Sequence, residues 1–337
     1  MSSSMQEYKL DQATVTSFLT LLKSNLPYTL SLYRRLQFQH FSPAARIVSS
    51  ISPSTAATRP QHDTQQWIIA YVDRSRRPET EIFLASSWEN NISTYETIKD
   101  DKAIKSLVTD LVASVASLSD HQSEEASSMP QPTSGPNIYT AHLSSPSLVL
   151  FGAVHHTTAC VIRDLGLLSS DTIEKDGLPE AYHRWVFPLH DAPISSDIFT
   201  LADGLVYGEL RERDFGTVRA RTSIPRQDRT LRTLARIAGY DRTNEDVPVA
   251  WAFLGVDGSL STLHVEKEYR GKGVARAVAV RLWEKELKSF TGMEGGERWA
   301  SADVATYNRE SNAVCKGLGG EVAYIDYWLR VDVNKVH

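Results

Sequence analysis

The chain has 337 residues, 41% of them hydrophobic and 23% charged, with a net charge of −5. That length exceeds one typical core and points to two domains. The charge balance and the lack of a long basic block argue against nucleic acid as a primary partner, and no apolar run is long enough to span a membrane. The opening Met-Ser-Ser-Ser-Met-Gln-Glu-Tyr has neither an apolar signal core nor an arginine-rich presequence. Cys160 and Cys315 lie far apart, with no metal-ligand spacing around them. We therefore expect reduced thiols, a cytoplasmic or nuclear location and no metal.

In chain order, Val15, Phe18, Leu19 and Leu22 predict a helix over 11–24 with Asp11 as its cap. A second short helix follows over Leu30–Phe38. Arg46–Ile51, Trp67–Val72 and Glu81–Ala85 read as strands, and the spacing of Ile104, Leu107, Val108, Leu111, Val112 and Val115 predicts a helix over Lys102–Leu118. Asp120–Asn137, rich in Ser, Pro, Gln and Glu, reads as a mobile insert. Ser147–Val154 reads as a strand and His156–Leu165 as a helix; His155 and His156 have no partner at metal spacing and read as structural. Asp171–Phe199 is irregular, with Pro179, Pro188 and Pro193, and we place the domain boundary there. The first domain, 1–190, is α+β and carries no phosphate-type loop. In the second, 200–337, Leu205–Leu210 reads as a strand, and Asp214–Thr222 and Thr230–Gly239 as helices.

The chemistry concentrates in Leu260–Leu282. Pro248–Leu254 and Leu260–Val265 read as strands around the turn Val256-Asp257-Gly258-Ser259. Val274–Phe290 reads as a helix, because Val274, Val278, Leu282 and Ala275, Ala279, Trp283, Leu287 form one apolar stripe; Gly292 is its stop. Between them Gly271 and Gly273 allow a ligand to approach the backbone. The amides of Gly271, Lys272, Gly273, Val274 and Ala275 sit at a helix start, where free N–H groups favour an anion, and Arg270 and Lys272 add charge suited to phosphate. This predicts a diphosphate cradle that is neither a Walker loop nor Gly-x-Gly-x-x-Gly. The alternative is a tight strand-to-helix connection without a ligand. Trp299–Val304 then reads as a strand, Asn308-x-x-Ser311 opens a short helix ending at Gly319-Gly320, and Val322–Val331 is a last strand.

A strand, then Arg270-x-x-Gly273-x-Ala275, then a helix resembles the acyl-CoA loop of the GNAT superfamily of N-acetyltransferases. Pro248-Val249-x-Trp251, Gly258 and Lys267-Glu268-Tyr269-Arg270, with Leu26-Pro27-x-x-Leu30-x-x-Tyr33 near the start, look like glycine N-acyltransferases. The resemblance is specific over 245–320. It implies the GNAT acyl-CoA N-acyltransferase fold in the C-terminal half, preceded by a degenerate α+β N-terminal domain. It also implies acetyl-CoA or another acyl-CoA as co-substrate, and a strand amide within Leu263–Val265 to polarise the thioester carbonyl.

For the proton, His264 on that strand is the first candidate base, since its ordinary pKa lies near working pH. Asp303 on the neighbouring strand is the second, and Glu209 and Glu266 are weaker. The carboxylate that serves as base in glycine N-acyltransferases falls at Ser259 here, and the tyrosine acid of many family members falls at Cys315. Asn308 and Ser311 resemble the family's pantetheine-contacting Asn-x-x-Ser/Ala; the alternative is a helix cap. Among the arginines between Arg211 and Arg242, Arg226 in a loop is the candidate to hold an acceptor carboxylate. Three functions stay open: an N-acyltransferase for a small amine or amino acid, a protein or peptide N-acetyltransferase, and a non-catalytic CoA-binding module.

Overall fold

The structure is a computed structural model, and it describes residues 5–59, 63–90, 93–118, 142–170, 176–189, 199–222, 224, 226–291 and 299–336. The proposed insert at Asp120–Asn137 and the helix stop at Gly292 lie outside the described residues. No described helix is long and apolar enough to cross a membrane. The chain divides into two compact units: Met1–Tyr182 with Tyr324–His337 form unit 1, and His183–Ala323 form unit 2.

Unit 1 begins with strand β1 (Gln6–Tyr8) and helix α1 (Gln12–Lys23). Asp11 caps α1 as its position suggests, accepting from Thr14 N at 2.8 Å. Helix α2 (Leu30–Gln37), strand β2 (Arg46–Ser49), helix α3 (Pro53–Thr58) and strands β3 (Ile68–Val72) and β4 (Ile82–Ser86) come next. Helices α4 (Tyr95–Ile98) and α5 (Lys102–Ser117), strand β5 (Leu148–His155) and helix α6 (His156–Asp164) complete the first pass. The strands lie in the order β1-β2-β3-β4-β5. The first four pair antiparallel, while β4 and β5 run parallel, with Ile82 opposite Phe151 and Phe83 opposite Gly152. Every residue of β3, β4 and β5 is buried, as a sheet covered on both faces requires. The apolar stripe of α5 and the β strands share one core.

Strand β6 (Ala181–Pro188) crosses into unit 2. It lies in the stretch that reads as irregular: the prolines mask the sequence Ala-Tyr-His-Arg-Trp-Val-Phe, but they stand at its ends, where a strand tolerates them. Strand β7 (Leu205–Gly208) and helices α7 (Phe215–Ala220) and α8 (Asp228–Thr233) succeed it. The expected helix over Thr230–Gly239 ends at Thr233, and strand β8 (Arg236–Asp241) takes its second half. Leu231, Leu234 and Ala238 have helical spacing, but Asp241 ties the turn by accepting from Thr243 N at 2.8 Å, and the ladder to strand β9 (Asn244–Leu254) wins over that spacing. Strand β10 (Leu260–Val265), helix α9 (Val274–Thr291), strand β11 (Trp299–Ala305) and helix α10 (Arg309–Gly317) keep the expected order. Four strands form the antiparallel sheet β10-β9-β8-β7. Helix α9 buries Val274, Val278, Leu282, Trp283 and Leu287, the stripe read from the sequence.

The last strand, β12 (Glu321–Asp332), runs into unit 1 and pairs antiparallel with β5, with Asp326 opposite His155 and Asp332 opposite Leu148. The sequence reading assigns this strand to the second domain. In the structure its residues from Tyr324 onward lie in unit 1, where β5 offers a long ladder. The overall class is α+β.

Candidate active site

The site in unit 2 starts with an irregularity in β10. Ser261 stands opposite Phe253 and His264 opposite Trp251. Thr262 and Leu263 therefore face a single residue of β9, which is a β-bulge, and Thr262 has φ +53°. On a regular strand, residues three apart point to opposite faces. The extra residue puts Ser261 and His264 on one face, together with Trp251 and Phe253. Between buried Leu260 and Val265, the four residues Ser261–His264 are only half-buried.

Past the bulge, β10 has an open edge. Among the described residues its ladder to β11 is a single parallel bridge, Ser259 to Ser301. Beyond that point no further pairing joins the two strands among the described residues, and the cleft expected where they part would lie beside the edge carrying Leu263, His264 and Val265.

The turn after β10 carries the expected glycines, with Gly271 at φ +74° and Gly273 at φ +77°. These backbone angles strain any residue with a Cβ. A Cβ at Gly271 would meet nothing within 4 Å, so the surface beside it is open. The two ends of the cleft also differ in how their helices begin. Asn308 caps α10, its Oδ1 accepting from Ser311 N at 3.0 Å. Helix α9 starts after Gly273, which has no side chain to cap it. Among the described residues the amides of Gly271, Lys272, Gly273, Val274, Ala275 and Arg276 have no backbone partner; the helical ladder begins with Ala277 N to Gly273 O at 3.1 Å. Unpaired donors at a helix start are the arrangement that favours an anion. Arg270 donates from Nε to Val265 O at 2.9 Å, holding the turn against β10. Lys272 Nζ lies 5.6 Å from the Tyr269 ring centre.

His264 stacks on Trp251 with ring centres 4.6 Å apart and planes 20° apart. Burial pushes its pKa below the ordinary histidine value, with Glu266 opposing. Its Nε2 is buried without a hydrogen-bond partner among the described residues; the nearest carboxylate oxygen, Glu266 Oε1, is 3.7 Å away and already accepts from Arg221 Nε at 2.9 Å. Arg226 reaches the same face of β10, donating to Ser261 Oγ at 2.8 Å. Its Nε is buried without a described partner. His264 and Arg226 thus converge on one strand face.

Asp303 does not join them. Both of its carboxylate oxygens accept from Arg184 Nη1 at 2.7 Å, and Arg184 is fully buried. Asp257 lies 3.7 Å from the same Nη1 and accepts from Ser259 Oγ at 2.7 Å. Protonating Asp303 would weaken its pairing with a buried cation, which makes it a poor base. Cys315 is buried, and burial, reinforced by Asp303, pushes its thiol up to about 12. Such a thiol is a weaker acid than an ordinary one. Asn308 and the Ser311 amide serve the helix cap. Asn312, one position on, is the better-connected residue: its Oδ1 accepts from Trp185 Nε1 at 2.8 Å and lies 2.9 Å from His183 Nδ1. Sequence reasoning missed Arg184, because β6 was hidden among prolines, and missed the Trp251–His264 stack, which depends on register.

A comparison with curated protein sequences finds no match. Among solved structures, a Drosophila protein determined by X-ray crystallography is similar over 98% of this chain and 99% of its own, with TM-score 0.60 and 14% identity. A GCN5-related N-acetyltransferase from Sphaerobacter thermophilus is similar over 98% of this chain and 96% of its own, with TM-score 0.50 and 10% identity. At these identities the likeness is one of fold. Residues 3–184, more than half of the chain, match the family model described as the acyl-CoA N-acyltransferase verG N-terminal domain. The chain therefore belongs to that family of acyl-CoA N-acyltransferases, and its fold is like that of the GCN5-related N-acetyltransferase structure.

Proposed function

We propose that the chain transfers an acetyl or other short acyl group from CoA to a small amine or amino acid, by direct attack within a ternary complex. The observation that carries this reading is the uncapped start of α9 beside the cleft where β10 and β11 part. The amides of 271–276, with Arg270 and Lys272, would hold the diphosphate. A backbone amide of Leu263–Val265 on the open edge would stabilise the oxyanion that forms on the thioester carbonyl. The amine nitrogen attacks that carbon and passes a proton to His264, directly or through water; the C–S bond breaks and CoA leaves as a thiolate that takes a proton from solvent. Burial favours a neutral His264, the form a base needs. Arg226 would pair with an acceptor carboxylate, which fits an amino acid such as glycine. Ser261 Oγ on that face accepts from Arg226 and, among the described residues, has no hydrogen bond to His264 that would activate it as a nucleophile, which favours direct transfer over a covalent intermediate.

Arg221 and Arg226 on the acceptor face disfavour a basic peptide tail. A CoA-binding module without turnover is favoured by one observation: Ser259, at the position of the family's carboxylate base, is hydrogen-bonded to Asp257.

The test is a thermal shift with CoA, acetyl-CoA and longer acyl-CoAs on the wild type and on Gly273→Glu. A ligand at about 100 times its dissociation constant stabilises by roughly 2.7 kcal/mol. We expect a shift in the wild type and none in the variant, whose new side chain meets a strained φ and adds a negative charge. No shift with any CoA species in the folded wild type would reduce the loop to a structural turn. A shift without acylation of any amine in a broad panel would favour the binding module.

A further inference from the structure

Arg276 is the third residue of α9, half-buried, and its guanidinium lies between the glycine turn and the end of α10. A Cβ on Gly317, the last residue of α10, would stand 3.3 Å from both Arg276 Cδ and Nη1. A Cβ on Gly273 would stand 3.9 Å from Nη2. The guanidinium carbon lies 5.4 Å from the ring centre of Phe199. Absence of a side chain at Gly317 and the Phe199 ring thus seat the group between the two helices. Among the described residues it has no hydrogen bond and no ion pair. Other arginines of unit 2 are paired: Arg219 with Asp228, Arg221 with Glu266, Arg232 with Glu212 and Arg281 with Glu284.

A seated cation with no anion partner among the described residues, beside a turn suited to an anion, has the makings of a second anion contact. CoA, on the reading proposed above, carries two anionic groups: the diphosphate and the 3′-phosphate of its adenosine, one ribose away. The amides of 271–276 suit the first. Arg276 Nη2 lies beside Gly273 while Cδ and Nη1 lie against Gly317, so the guanidinium extends from the edge of that turn to the end of α10. A monoester phosphate suits the planar guanidinium fork, and the Phe199 face helps to hold that plane. We propose that Arg276 binds the 3′-phosphate of CoA and makes the protein select CoA over its 3′-dephosphorylated form. The inference rests on the CoA reading but is separable from it.

The experiment measures dissociation constants of CoA and 3′-dephospho-CoA for the full chain by titration calorimetry, with Arg276→Lys, Arg276→Met and Arg276→Gln beside the wild type. The wild type should prefer CoA about tenfold or more, as a charge-assisted contact implies. Arg276→Met and Arg276→Gln should bring the ratio to within about twofold, and Arg276→Lys should keep part of it. Gln serves if the Met variant fails to fold. Equal binding of both ligands by the wild type would overturn the proposal. So would a preference that survives in the Gln variant, which would leave Arg276 as a tie between α9 and the end of α10. A variant that loses affinity equally for both ligands would assign Arg276 to the diphosphate, again against the proposal. If neither ligand binds the wild type, the CoA reading falls as well.

Discussion

In unit 1, β4 and β5 run parallel, with Ile82 opposite Phe151 and Phe83 opposite Gly152; in unit 2, β10 and β11 meet in the same sense at Ser259 and Ser301. The turns after the first strand of each pair are opposite in character. After β4 come Trp88 and Glu89, both buried. Trp88 Nε1 donates to Thr158 Oγ1 at 2.9 Å, and the Thr158 hydroxyl donates to Glu89 Oε1 at 2.5 Å. After β10 come exposed Gly271 and half-exposed Gly273, with unpaired amides. One turn is filled by an indole and a carboxyl that would repel phosphate; the other is open and lined with donors. A parallel strand pair followed by a turn is only a frame, and the side chains of the turn decide whether an anion can enter it.

The largest expected effect tests whether chemistry, as well as binding, belongs to unit 2. His264→Ala should lower kcat by about 10² to 10⁴, the range for a directly acting base, while an acetyl-CoA thermal shift persists. Because burial lowers the His264 pKa in the free protein, the acid limb of the kcat/KM profile should lie below the ordinary value of about 6.5. A kcat in the variant within threefold of wild type would remove His264 from the reaction.

Next comes Arg184→Met, which acts at the vertex of the unit 2 cleft. It leaves Asp303 and Asp257 without their buried cation, and breaking such a pair costs about 3–5 kcal/mol. Urea denaturation should show that loss. Arg184→Met with Asp303→Leu should recover part of it, because only Asp257, the more distant partner and one that accepts from Ser259 Oγ, is then left without its cation. A single variant as stable as the wild type would show that the cluster does not hold the cleft.

Much of this was legible in the sequence, and the failures have physical causes. The α9 stripe, the glycine turn and the order of elements from β9 to α10 come from local periodicity and from the need for φ > 0. The bulge at Thr262 and Leu263 could not be read, because it exists only in the register between β10 and β9. For the same reason the approach of Arg226 to the face of His264 was a guess from loop position. Asp303 looked like a base because its partner, Arg184, lies 119 residues earlier on a strand concealed by prolines. Unit 1 carries no phosphate-type loop and only the short motif Leu26-Pro27-x-x-Leu30-x-x-Tyr33, yet the family match, over residues 3–184, falls almost wholly there.

The unit 1 side of the comparison is sharpened by Glu89→Gln. Burial pushes Glu89 up to about 7, against about 4.3 for an unfolded glutamate. The folded state therefore holds a proton that the unfolded state releases between these values, and this contribution to stability is present at low pH and lost as pH rises toward 7. The shift corresponds to something on the order of 3 kcal/mol. Gln keeps an acceptor for Ser86 N and can donate to Thr158, so the variant should lose the pH dependence in that window and be no less stable than wild type at pH 8. Thermal unfolding from pH 4.5 to 8 measures it. The same variant should leave the CoA shift intact if anion binding belongs to unit 2 alone.

The smallest effect is expected at Cys315, which the sequence resemblance to GNAT enzymes sets in place of a tyrosine acid. Proton donation to a departing thiolate needs a donor at least as acidic as the thiol being formed. Cys315, at about 12, is less acidic than an ordinary thiol near 8.5, so a transfer from it would run uphill. Its surroundings make it a small core residue. Cys315→Ala should therefore cost about 1 kcal/mol of stability through lost packing and leave kcat within threefold. Stopped-flow measurement of CoA thiol release, in the absence of a thiol-trapping reagent that could hide a slow protonation, gives the comparison. A hundredfold loss of rate in a variant that remains folded would return Cys315 to the reaction and would mean that the thiol is far more acidic in the ternary complex than in the free protein.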